Sequence, residues 1–153
     1  MKKIILLPIA ALMILSSCKK EVQQVNQAFS AVYTIQPNNW STDNDGLIYT
    51  ASLTIPELDN SIYTSGGVLV YISFDNTDYY EALPEVFDGI TYGAIHSNGY
   101  ISIDISALSG NVVDPPSQNI SVKVILIKAE VLGLHKDVNL HDLGEVQKAF
   151  NVK

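Results

Sequence analysis

From residue 29 onward, apolar side chains recur at every second position, and that period commits the chain to β-strands. Ala31, Tyr33 and Ile35 alternate with more polar neighbours. Leu47, Tyr49, Ala51, Leu53 and Ile55 do the same before Pro56, and Ile101, Ile103 and Ile105 alternate with Ser102, Asp104 and Ser106. An antiparallel strand with one buried and one solvated face has this pattern. Two further runs, residues 68–74 (VLVYISF) and 120–127 (ISVKVILI), are apolar on both faces, as central strands covered on both sides are. Turn signals separate these runs. Residues 41–46 (STDNDG), the Asp75-Asn76-Thr77-Asp78 cluster and Asn98-Gly99 have side chains and φ freedom suited to reversing a chain. A strand over residues 79–83 is expected to return antiparallel from the cluster, and residues 89–95 and 100–106 to form a hairpin. The fold class is therefore all-β, an antiparallel β-sandwich of immunoglobulin-like or jelly-roll type with about seven or eight strands. Residues 57–65 have room for a short helical turn. Asp142 with Glu145, then Leu143, Val146 and Phe150 on one stripe, predict a capped C-terminal helix.

The first 28 residues belong to a different regime. Lys2 and Lys3 precede an apolar run over residues 4–15, interrupted by Pro8. Twelve residues fall short of the roughly 20 needed to span a bilayer and suit a secretory signal. The run ends in Leu15-Ser16-Ser17-Cys18, which resembles the lipobox of bacterial lipoproteins, cut before the cysteine and acylated on it. That resemblance implies a signal peptide over residues 1–17, a lipidated Cys18, a tether over residues 18–28 and a sandwich over residues 29–153. Lysine follows the cysteine, with no aspartate to signal inner-membrane retention. The expected location is the bacterial outer membrane, lipid-anchored on its cell-surface or periplasmic face. Several acyl chains are needed for stable anchoring.

Charge narrows the range of partners. The chain has nine lysines, no arginine and sixteen acids, a net charge of −7, and loss of Lys2 and Lys3 with the leader would take it to −9. Between Lys20 and Lys123 there are twelve acids and no basic residue. Such a surface repels phosphate backbones, which argues against nucleic-acid binding. The remaining expected partners are the membrane, through the anchor, and an envelope protein or a glycan.

Chemistry-bearing motifs are sparse. Residues 41–52 place Asp43, Asp45 and Gly46 at positions 3, 5 and 6 of a calcium loop, but Ser41 and Ser52 stand where carboxylates are required, and an Asx turn explains the same letters. His96, His135 and His141 lack zinc spacing, and no G-x-S-x-G elbow is present. Glu81 and Glu85 flank Leu83-Pro84 without a second feature to mark them as a catalytic pair. The reading assigns no catalytic residue, metal or cofactor. Aromatics are the better lead: Trp40, Tyr79, Tyr80 and Tyr92 fall at or near expected loops and strand ends, where flat amphipathic rings stack on sugars or bury at interfaces.

Together these pieces resemble a family of small, uncharacterised lipoproteins of Bacteroidetes-type bacteria. The pieces are Cys18, Trp40 before an Asp-Gly turn, Gly67-Val68-Leu69-Val70-Tyr71, Glu81-Ala82-Leu83-Pro84, Val122-Lys123-Val124-Ile125-Leu126-Ile127 and Glu145-Val146-Gln147-Lys148-Ala149-Phe150-Asn151. The resemblance implies a β-sandwich with a terminal appendage and no known activity. The expected function is a non-enzymatic envelope lipoprotein, partner-binding or structural; the alternative is a surface glycan-binding module.

Overall fold

A computed structural model describes residues 28–74 and 79–153. Among these residues, eight strands form two antiparallel four-stranded sheets. They are β1 (Ala28–Ile35), β2 (Ile48–Thr54), β3 (Gly67–Ser73), β4 (Glu81–Ala82), β5 (Glu85–Phe87), β6 (Ile90–Ser97), β7 (Tyr100–Ala107) and β8 (Ile120–Ile127). One sheet runs β1-β8-β3-β4 and the other β2-β7-β6-β5. The first strand pairs with the last and the second with the last but one, as in a rolled-up hairpin. The immunoglobulin order, in which the first two strands share a sheet, is therefore not the one adopted.

The two doubly apolar runs sit where their pattern requires. All eight residues of β8 are buried, and β8 lies between β1 and β3. Ile35, Val70, Ile72, Val122, Val124 and Leu126 project inward against Ala51, Tyr92, Ile101, Ile103 and Ile105 of the other sheet. On the opposite side of β8, Ile125 and Ile127 join Tyr71 under a C-terminal arm. The arm carries α2 (Ala129–Leu132) and α3 (Leu143–Phe150), whose Val131, Val146 and Phe150 complete a second apolar cluster. The Asp142 carboxylate accepts the Glu145 N–H, as expected of an N-cap. The second half of the capping box is redirected, since Glu145 Oε2 accepts from Asn139 N–H at 3.0 Å. The outer face of the β2-β7-β6-β5 sheet mixes polar side chains with exposed Ile48, Ile95 and Tyr100, and polar pairs tie its strands: Thr50 Oγ1 donates to Asp104 at 2.8 Å, and Ser52 and Ser102 lie 3.5 Å apart.

Turn chemistry explains where expectation and structure part. The expected strand over residues 79–83 shrinks to Glu81–Ala82, because Leu83-Pro84 ends pairing and starts the crossing to β5 in the other sheet. The β5–β6 hairpin was not anticipated, although Asp88-Gly89 is its signal. Both residues adopt left-handed φ, 49° and 76°, across a two-residue loop. At Asn98-Gly99 only the glycine is left-handed, with φ 80°. Its N–H donates to Leu58 O, and its C=O accepts from Ile55 N–H, so the hairpin tip is tied to the end of β2. Helix α1 (Asn60–Ser65) begins at Asp59, whose carboxylate accepts the N–H groups of Ser61 and Ile62, and Ile62 packs into the core. A Cβ at Gly66, just past this helix, would lie 2.5 Å from Ile127 O, so only glycine allows α1 to approach β8. No described helix is long and apolar enough to cross a membrane.

Ile103 is fully buried on β7, whereas Ser102 beside it is on the outer face. Ile103→Ala should cost about 2–5 kcal/mol in urea melts, through lost transfer energy and the cavity left behind, and Ser102→Ala less than about 0.5 kcal/mol. Equal small losses would contradict this packing.

Candidate functional site

The structure divides the four aromatics picked out in the sequence. Trp40 is 8% exposed and belongs to the core between the sheets. It follows a single 3-10 turn, Pro37–Asn39, closed by Gln36 N–H donating to Asn39 Oδ1 and Asn39 N–H donating to Gln36 O. This turn carries the chain from one sheet to the other, so the next side chain is drawn in between them. The expectation of a surface ring at Trp40 is corrected accordingly. Its Nε1 has no acceptor among the described residues. Tyr92 is also 8% exposed, because alternation on β6 points it inward. It meets Phe74 edge-on at 4.8 Å, and burial, reinforced by Asp88, raises its phenol pKa.

Tyr79 and Tyr80 lie elsewhere. Tyr79 is 81% exposed and Tyr80 half-buried, immediately before β4. They border a groove of about 420 Å³ with His141, Asp142, Gly144 and Gln147, at the start of α3. Beneath it, Lys123 Nζ lies 5.4 Å from the centre of the Tyr80 ring, a cation–π distance. Lys123 is nearly buried on the outer side of β8, where the face of the Tyr80 ring gives its ammonium an electrostatic partner. The groove wall is held by Tyr71, whose hydroxyl donates to Leu140 O at 2.7 Å. His141 N–H donates to Asn139 Oδ1, and Asp142 N–H to Asn139 O, so the loop ahead of α3 is pinned from both sides. Sequence reading missed His141 and Gln147 as neighbours of the tyrosines. The capping signal at Asp142 marked a helix start, but not the sheet on which it would be laid.

The remaining candidates occupy local roles. In residues 41–48, Thr42 Oγ1 accepts from the N–H groups of Asn44 and Gly46, and Asn44 Oδ1 accepts from Ile48 N–H and Thr42 Oγ1. Asp45 and Gly46 supply the left-handed turn, with φ 55° and 84°. Among the described residues no three His, Cys, Asp or Glu side chains gather as metal ligands. His96 meets Tyr63 edge-on at 6.0 Å, and His135 meets Phe150 at 5.0 Å. Cys18 lies outside the described residues, as do Asp75, Asn76, Thr77 and Asp78 of the expected turn. No protein-family model, curated protein or solved structure matches the chain.

Two measurements check this site. With a single tryptophan in the chain, fluorescence reports Trp40 alone. Its emission should be blue-shifted, resist acrylamide quenching and stay unchanged on adding sugars; red-shifted, quenchable emission would restore the surface ring. Tyr71 supplies the second. Burial, and then the Asp142 carboxylate, push its phenol up to about 12. Because the folded pKa is raised, Tyr71 contributes fully below pH 10, where both states hold the proton. Between pH 10 and 12 the unfolded chain releases its proton first, so stability should fall by about 1.4 kcal/mol per pH unit from this residue. Tyr33 and Tyr92 act in the same direction. Tyr71→Phe should flatten the alkaline slope in urea melts and cost about 1 kcal/mol at pH 7, through the unpaired Leu140 carbonyl.

Proposed function

We propose that this chain is a lipid-anchored, non-enzymatic domain of the bacterial outer membrane that binds a partner protein or holds a structural place in the envelope. The observation that carries the reading is the Leu15-Ser16-Ser17-Cys18 ending of an apolar run, followed by a polar stretch that leads directly into β1. From Cys18 to Ala28 the chain can reach about 35 Å when extended, so a domain beginning at β1 would stay close to the bilayer surface. How the polar side chains are used favours binding or scaffolding over catalysis. Asp59 and Asp142 cap helices, Asp104 accepts a cross-strand hydroxyl, and two of the histidines lie edge-on to aromatic rings.

The alternative, a surface glycan-binding module, now rests on Tyr79 and Tyr80 beside His141 and Gln147. One of these rings is half-buried over Lys123, which leaves Tyr79 as the more exposed of the two. The partner-binding reading is therefore preferred.

Cys18→Ala should abolish acylation, leave residues 1–17 uncleaved and move the protein out of the detergent-rich phase on phase partitioning. Identical partitioning and identical mass processing of the two proteins would overturn the anchor.

A further inference from the structure

We infer that the free edge of β1 is a docking site for an extended, basic segment of a partner polypeptide, which would add to the sheet as a strand outside β1. The inference rests on the partner-binding reading and names how the partner is held.

A sheet edge presents a row of unpaired N–H and C=O groups, and native proteins blunt such edges with charge, proline, short strands or cover. Three of the four edge strands here are blunted, and the stretches that β4 and β5 leave uncovered, Gly67–Leu69 of β3 and Gly93–Ser97 of β6, are shorter than β1 and each contain a glycine. β4 is two residues long, carries Glu81 and ends at Leu83-Pro84. β5 is three residues long, begins with Glu85 directly after Pro84 and ends in the Asp88-Gly89 turn. β2 is covered along its first half, since Ser41 exchanges two backbone hydrogen bonds with Thr50 and Asn44 Oδ1 accepts Ile48 N–H. β1 has neither charge, proline nor shortness to blunt it, although the C-terminal end reaches it where Ser30 Oγ donates to Lys153 O at 2.7 Å. Its eight residues, AFSAVYTI, contain no charge, proline or glycine, and its backbone pairs only with β8 among the described residues. Val32, at the middle of the strand, is 52% exposed, and Thr34 is open beside it.

The chemistry of such an edge selects an extended polypeptide, because the recognition groups are backbone amides at strand spacing. Charge selects which one. Residues 28–153 contain fifteen acids and five lysines, so a second copy would bring net like charge to the contact. At the start of β1 a groove of about 470 Å³ is lined by Phe29, Ile62, Leu126, Glu57, Asp59 and Lys128. Asp59 is engaged by its helix cap and by nearby Lys128. Glu57 receives no hydrogen bond among the described residues and is close enough to Tyr33 to raise its phenol pKa together with burial. A lysine or arginine flanking the incoming strand would meet Glu57 there.

Hydrogen exchange by mass spectrometry on the full-length chain in detergent micelles tests this, with a synthetic peptide of alternating valine and threonine flanked by lysines as probe. In the free protein, alternate amides of residues 28–35 should exchange fast. The lysine-flanked peptide should slow them, a glutamate-flanked version should need about tenfold more peptide, and N-methylation of alternate peptide amides should abolish protection. Val32→Lys should weaken binding at least tenfold while the rest of the domain keeps its exchange pattern. Full protection of β1 before peptide is added would overturn the proposal, since the edge would already be filled by a second copy or by the chain's own residues 18–27. No protection at millimolar peptide, or equal binding of both peptides, would overturn it as well. Each result stands whether or not Cys18 is acylated, so failure here is separable from failure of the anchor.

Discussion

β8 is apolar or otherwise buried on both faces, and the architecture follows from the need to cover both. Ile120, Val122, Val124 and Leu126 are covered by the opposing sheet, whereas Ile125 and Ile127 point the other way and would face water in a two-layer sandwich. The C-terminal arm is therefore the third layer of the fold. Helix α3 has only eight residues, too few to persist in water alone. It is held by burying Val146 and Phe150, by the Asp142 cap and by the Tyr71–Leu140 hydrogen bond. The Tyr79–Tyr80 groove exists because this layer stops partway across the sheet and leaves Lys123 roofed by an aromatic ring.

The two outer faces solve different problems. The arm supplies most of the domain's positive charge, with Lys128, Lys136, Lys148 and Lys153 all in or beside it, while the body from residue 28 to 122 has only acids. The exposed face of the other sheet carries one carboxylate and a few open apolar side chains, and is tied across strands by polar pairs, Thr50 with Asp104 and Ser52 with Ser102. An acidic body resists association with copies of itself, which makes an uncharged strand edge on that body tolerable.

Strand identity was legible because period two is a local signal that burial on one face imposes. It located β1, β2 and β7 to within a residue, whereas β3 and β8 were legible as runs apolar on both faces and β6 from the Asn98-Gly99 turn. What was not legible depended on long-range placement. Trp40 stands in Pro37-Asn38-Asn39-Trp40-Ser41, letters that read as an open loop, yet the loop crosses between sheets and the ring is enclosed. Tyr92 follows the alternation of its own strand, so its burial was available from the pattern and was outweighed by its nearness to a turn. Asp88-Gly89 was as clear a hairpin signal as Asn98-Gly99. It was masked by the shortness of β5, whose three residues are too few to show a period. That β1 is an edge followed from no local property, only from the pairing order.

That order explains why β1 is left open. Rolled pairing joins Ala28 to Ile127 and Ile35 to Ile120, so among the described residues β1 finds its sheet neighbour at the far end of the chain. Closing so long a loop is costly and brings no contacts until β8 is in place. β8 in turn needs β3 on its other side, with Gly67 opposite the same Ile127, and the arm beneath it. β1 therefore stands at the edge of its sheet, with β8 on one side and no strand on the other among the described residues. Its inward residues still bury against the core, with Ile35 only 1% exposed, so the strand is held firmly while its outer hydrogen-bonding row stays free among the described residues. A rigid strand already fixed in extended geometry can accept another with little further loss of its own conformational entropy, and this distinguishes a docking edge from a frayed one.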